Sequence, residues 1–199
     1  MPKSHARKRR NEATGQVGID LAKLRQPKVI GFADKCALID GRQWWELMFL
    51  DDRAALSSPL VIARLVLMAD DLVQRIWPTT SAFLEDAEAS LRASGLVFPS
   101  LQSGPPPSAI VSSAAAQCTL FGISRSGLSA QLDAYFVSPR SAHFARTEGR
   151  KLEVLPVLAV QLPIALLVSI LRRIRDDRSN LETIARQGGV QVPEQTGSP

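Results

Sequence analysis

Residues 57–77 read "SSPLVIARLVLMADDLVQRIW", and the architecture turns on how this stretch folds. Val61, Leu65, Met68, Leu72 and Ile76 recur at helical spacing, with Ile62, Val66, Ala69 and Val73 beside them. Arg64, Asp71, Gln74 and Arg75 lie opposite. That is the pattern of an amphipathic helix with a broad core-facing stripe. Ser57 or Ser58 offers a cap, and Pro59 sits where a missing N–H does no harm. The expectation is a helix over this stretch. A further helix follows in "TTSAFLEDAEASLRASG", capped by Thr79, Thr80 or Ser81. Glu85, Asp86 and Glu88 favour its N-terminal half through the helix dipole, and Gly95 suits the residue after its end.

Upstream, Pro27 stops a short amphipathic piece carrying Ile19, Leu21 and Leu24. Residues 28–39 and 43–51 then read as a hairpin. Asp40-Gly41 supplies the turn, on the ground that glycine tolerates positive φ. Trp45, Leu47 and Phe49 alternate with Trp44, Glu46 and Met48, giving one strongly apolar face.

Downstream, "PSLQSGPPPS" breaks regular structure and reads as a linker. A second hairpin turns at Ser126-Gly127, with Leu128, Ala130, Leu132, Ala134 and Phe136 alternating against polar neighbours. A polar loop covers 138–151. "LEVLPVLAV" is strand-like, and Pro156 places it at a sheet edge or a bulge. A helix led by Pro163 follows. Ser179 and Glu182 make a capping box for a short last helix ended by Gly188-Gly189.

The predicted class is α+β, with an antiparallel sheet and helices packed on one face. Two hairpin-plus-helix units occupy 19–97 and 110–189, with 98–109 linking them. A disordered basic tail over 1–18 and a second tail over 190–199 flank them. The similar order of the two units raises an internal repeat, against the alternative that a common unit recurs by chance.

Five basic residues, Lys3, Arg7, Lys8, Arg9 and Arg10, fall in the first ten positions with no acidic one. They account for the whole formal charge of +5, because 19 basic residues then face 19 acidic ones in 11–199. The basic character belongs to the tail, which suits weak contact with phosphates or another polyanion. Two cysteines, Cys36 and Cys118, are too few for a disulfide framework or a four-cysteine zinc site. They read as small core residues in a reducing, cytoplasmic compartment. No apolar segment follows the basic start, so no secretory signal is expected. Arginine outnumbers lysine 18 to 6, as in a GC-rich bacterial genome.

No catalytic constellation stands out. His5 lies in the tail and His143 in the polar loop, neither with convergent partners. Asp51-Asp52, Asp70-Asp71 and Asp176-Asp177 are adjacent pairs whose side chains diverge, the last two reading as solvated helix faces. Phosphate-loop, dinucleotide and nucleophile-elbow motifs are absent, and "GISRSG" has the wrong spacing. The chain is therefore read as non-enzymatic, with no cofactor and no metal.

Three readings of function follow. The first is a protein-interaction or scaffold protein, able also to form homo-oligomers through sheet edges, with weak polyanion affinity in the tail. The second is a nucleic-acid accessory protein in which the tail acts with Arg140, Arg146, Arg150 and Lys151 around Phe144 in the 138–151 loop. The third is a membrane-associated protein with one span near 154–171, where 18 uncharged residues precede "RRIR". Pro156, Pro163 and Gln161 weigh against that span, as does the stripe of Ile164, Leu167, Val168, Leu171 and Ile174 opposite Ala165, Ser169, Arg172 and Asp176.

Overall fold

The computed structural model describes residues 24–53, 58–104, 109–111, 114–148 and 152–189. The fold is α+β. In chain order the first half holds β1 (Val29–Phe32), β2 (Lys35–Asp40), β3 (Trp44–Asp51) and β4 (Leu60–Met68). One long helix follows: α1 (Ala69–Asp71), a π-turn (Leu72–Ile76) and α2 (Trp77–Ala93). Short strands β5 (Gln102–Ser103) and β6 (Ile110–Val111) lead to β7 (Ala115–Cys118), β8 (Leu120–Ser126) and β9 (Ser129–Val137). Then come α3 (Pro139–Thr147), β10 (Val154–Pro163), α4 (Ile164–Asp176) and α5 (Arg178–Gln187).

The opening stretch is therefore not one helix. Its first part, β4, is a strand whose Val61, Ala63, Leu65 and Leu67 are all fully buried. The alternate residues Leu60, Ile62, Val66 and Met68 are apolar too, with Arg64 the one charged position, so the run fits a helical stripe as well as an alternating one. Pairing decides between them: β4 has β3 on one side and β7 on the other, the usual setting of a strand without clean alternation. Ile62 is the extra residue of a bulge between the pairs Phe49–Ala63 and Leu50–Val61. Beyond it Val61 moves to the outer face, beside Ala37, Met48 and Leu50.

One sheet runs β1-β10-β9-β8 and the other β5-β2-β3-β4-β6, with β7 also on β4. The chain order conceals a reciprocal exchange. In the first half β2, β3 and β4 form an antiparallel meander, and in the second β8, β9 and β10 do the same. The strand preceding each meander joins the other one: β1 runs parallel to β10, and β7 parallel to β4. Each third strand leads directly into a helix whose first N–H bonds back to its own hairpin turn, Ala69 to the Gln43 carbonyl and Ile164 to that of Leu128. β4 and β10 thus hold the same place in their meanders, and α3 lies between β9 and β10.

Other local expectations are corrected. Gly41 has no positive φ, whereas Gly127 does (+58°). At Gly41 the absent side chain makes room for the Trp44 indole, which a Cβ would approach to 2.6 Å. The helix is already under way before Thr79, so Thr79 and Thr80 do not cap it; their hydroxyls donate to the carbonyls of Arg75 and Ile76. Glu182 pairs with Arg178 at 2.6 Å instead of closing a capping box. Residues 98–109 are partly in the sheet: β5 pairs with β2, and Phe98 and Leu101 pack on the core. The 138–151 loop is largely the helix α3, with Pro139 in its first turn. Pro156, by contrast, sits as expected by a bulge in β10, before the start of the β1 pairing at Ala159.

The main core joins the inner faces of both sheets to the helices. Trp45, Leu47, Phe49 and Leu65 meet Leu132, Val160 and the helix residues Leu84, Leu167 and Leu171 in one cluster. α4 is the most enclosed helix, with Leu166, Ser169 and Ile170 buried alongside the expected stripe. The 154–171 span is overturned: half of it is β10, hydrogen-bonded on both sides, and α4 has 13 residues. Among the described residues no helix is long and apolar enough to cross a membrane. The arginines after it hold the fold together. Glu88, which lies in the last third of the long helix and not at its start, receives Arg92 at 2.5 Å, Arg175 at 2.7 Å and Arg172 at 3.5 Å. Arg172 also lies 4.9 Å from the Phe98 ring centre.

Candidate functional site

The π-turn has a local cause. Pro78 has no N–H to continue the helical ladder, and in α geometry its ring would crowd the carbonyl four residues back. The turn widens just before it, and the Trp77 N–H bonds to the Leu72 carbonyl, one residue farther than in an α-helix. The widened turn and the residues leading into it form one wall of a cleft of about 560 Å³. Asp70, Asp71, Gln74 and Arg75 stand on that wall. Gln117 and Thr119, at the crossing from β7 to β8, face them, while Met68, Phe136 and Val137 add an apolar surface and Pro139 starts α3 at the rim.

Asp71 is the most unusual residue of this cleft. Only 6% of it is exposed, so the reading of Asp70-Asp71 as a solvated helix face fails for its second member. Burial pushes its carboxyl up to about 7; Arg75 opposes the shift and the neighbouring Asp70 adds to it. Arg75 Nη1 donates to Asp71 Oδ1 at 2.5 Å. The opposite wall is rigid: Val137 N–H donates to Thr119 Oγ1 at 2.8 Å, and Thr119 N–H to the Tyr135 carbonyl at 2.9 Å. Behind it the Cys118 thiol is pushed up to about 12 by burial, with the Asp71 charge adding to the shift. It is not an activated nucleophile.

The corresponding crossing in the other half carries ion pairs instead. There β1 crosses to β2 through Ala33 and Asp34, and β3 ends in Asp51, with Asp52 and Arg53 following. Lys35 pairs with Asp52, Arg53 with Asp51, and the Arg53 guanidinium lies 4.2 Å from the Phe32 ring centre. Asp52 N–H also bonds to Asp34 Oδ1. The first helix opens with Asp70 and Asp71 and a π-turn, whereas α4 opens with buried Ile164. The cleft lies where the two halves differ.

Of the residues singled out from sequence, Lys3, Arg7, Lys8, Arg9, Arg10, Arg150 and Lys151 lie outside the described residues. Arg140 is exposed on α3, 5.6 Å from the Phe144 ring centre, and His143 meets that ring edge-on. Arg146 falls within α3. Among the described residues no group of three or more His, Cys, Asp or Glu could hold a metal ion. The cleft itself was missed. Its one sequence signal was a proline inside a helical pattern, seven residues after an aspartate that has an arginine four positions on. Compared with family models, curated proteins and solved structures, the chain matches none of them.

Proposed function

We propose that the chain is a non-enzymatic interaction or scaffold protein whose recognition site is the cleft at the π-turn. The observation that carries this reading is the pairing of a buried carboxyl, Asp71, with Arg75 in an open cleft. A few fixed polar groups beside an apolar surface are what binding sites use to orient a partner. The two buried thiols fit a reducing, cytoplasmic compartment. The N-terminal basic segment adds weak, salt-sensitive affinity for polyanions.

Site-specific photo-crosslinking in cells tests this. A crosslinker at exposed Gln117 should yield a discrete adduct that disappears with Asp71→Asn, while one at exposed Arg125 on the hairpin tip should not. Equal adducts from both positions would sink the reading.

A second reading, a nucleic-acid accessory protein, is favoured by exposed Arg140 beside half-buried Phe144, acting with the basic segment. Its test is retention of the full chain on heparin and single-stranded DNA at low salt. Retention must fall when Lys3, Arg7, Lys8, Arg9 and Arg10 are all changed to Ser, and fall again with Arg140→Ala.

A further inference from the structure

Taking the cleft as the recognition site, we propose that its ligand is a basic side chain. A guanidinium or ammonium group seats against the Asp70 and Asp71 carboxylates, and its alkyl stem lies along Met68, Phe136 and Val137.

Charge and shape both support this. Two carboxylates line the cleft against one guanidinium, Arg75, which is already bonded to Asp71. Of the cations on the packed elements, Arg178 on α5 pairs with Glu182, and Arg140 on α3 lies at the Phe144 ring. Cys118, behind the wall, stays neutral. The apolar surface beside the carboxylates suits the methylene stem of a long cation, which buries its carbons while its head is bonded. A cavity of about 560 Å³ has room for a short peptide segment and not only one side chain. A cation beside Asp71 also favours the ionised carboxyl, so binding near neutrality expels a proton.

Two sources can present this chemistry: the chain's own basic segment or a partner. The first is within reach. β1 runs parallel to β10, so the chain upstream of Val29 heads toward Val154, which pairs with Val137 in the cleft wall. β1 stands two strands from β9, roughly 10 Å.

The test uses the full chain and an octapeptide copying residues 5–12, "HARKRRNE", with a control in which its four Lys and Arg are Glu. Backbone amide NMR shifts of Gln117, Thr119 and Val137 report the cleft. The titration is run on the native chain and on one with Lys3, Arg7, Lys8, Arg9 and Arg10 changed to Ser. In the neutralised chain the basic peptide should move all three signals, the acidic peptide none, and affinity should rise between about pH 6 and about pH 8. Asp71→Asn should weaken it roughly tenfold, and Gln117→Arg, on an exposed residue that the fold does not need, should do the same. If the chain's own segment is the source, the native chain will show the shifted signals before any peptide is added. If a partner is the source, both chains will bind alike. Unmoved signals, or equal response to the acidic peptide, overturn the proposal. The crosslinking result at Gln117 stands apart from either outcome, so a cleft with a different ligand would still be recognised.

Discussion

Glu88 Oε2 accepts a 2.7 Å bond from Arg175 Nη1 across 87 residues of sequence, tying the long helix of the first half to α4 of the second. Arg92 and Arg172 approach the other carboxylate oxygen, so one acid faces three guanidinium groups. With the Glu88 side chain 10% exposed, its removal leaves cations crowded at a partly dry interface. Glu88→Gln should cost about 2–4 kcal/mol in urea unfolding. Arg92→Ala, at a side chain 64% exposed, should cost under ~0.5 kcal/mol. Equal losses for both would show that the interface is not electrostatic.

Asp71 makes stability fall as pH rises. Its carboxyl has an ordinary value of 3.8 and one of about 7 in the fold. Between these values the folded chain binds more protons than the unfolded chain, so the contribution is fully present below about 3.8 and is lost by about 7. Asp71→Asn should therefore raise stability at pH 8 by on the order of 1–3 kcal/mol, with the gain shrinking toward pH 4. Chemical denaturation at the two pH values checks this; a gain that does not depend on pH contradicts it.

The two hairpin glycines should fail for different reasons. Gly127→Ala should cost about 1 kcal/mol from its positive φ, whatever stands nearby. Gly41→Ala should cost a similar amount through displacement of Trp44, and Trp44→Ala should remove that cost. A double-mutant cycle showing no coupling between Gly41 and Trp44 would contradict the steric account.

Both thiols should be silent in the folded chain. Cys36 and Cys118 are 2% and 0% exposed, and burial raises both above the ordinary thiol range. Neither should react with a thiol-exchange dye at pH 8, and both should react at once in guanidinium. Fast reaction of either in the native chain would place it at the surface.

The legible part of the sequence was the part governed by local chemistry. The β2–β3 and β8–β9 hairpins, Gly95 ending α2 and the helix after Pro163 follow from turns, caps and alternation. What escaped depends on partners distant in sequence. Leu60–Met68 satisfies two periods at once, and only β3 and β7 choose between them. Residues 28–39 look like one strand, but Ala33 and Asp34 carry the chain from one sheet to the other. The cleft was less legible still, because burial of Asp71 depends on the β7–β8 crossing and the end of β9. α3 was hidden by its polarity, with Ala142 and Ala145 the small residues it buries.

The exchange of β1 and β7 also sets a timetable. Val29 pairs with Ala159, 130 residues later, so β1 cannot dock until nearly the whole chain has left the ribosome. At typical rates of synthesis that is a wait of roughly 10 s. The first meander can form early in that interval, but one side of β4 stays unpaired along Arg64–Leu67 until β7 has emerged. Neither half can complete its sheet alone, so nascent chains emerging side by side could trade β1 and β7 with one another. Yield of the monomer should then depend on how closely ribosomes are spaced on the message, as well as on the stability of the finished fold.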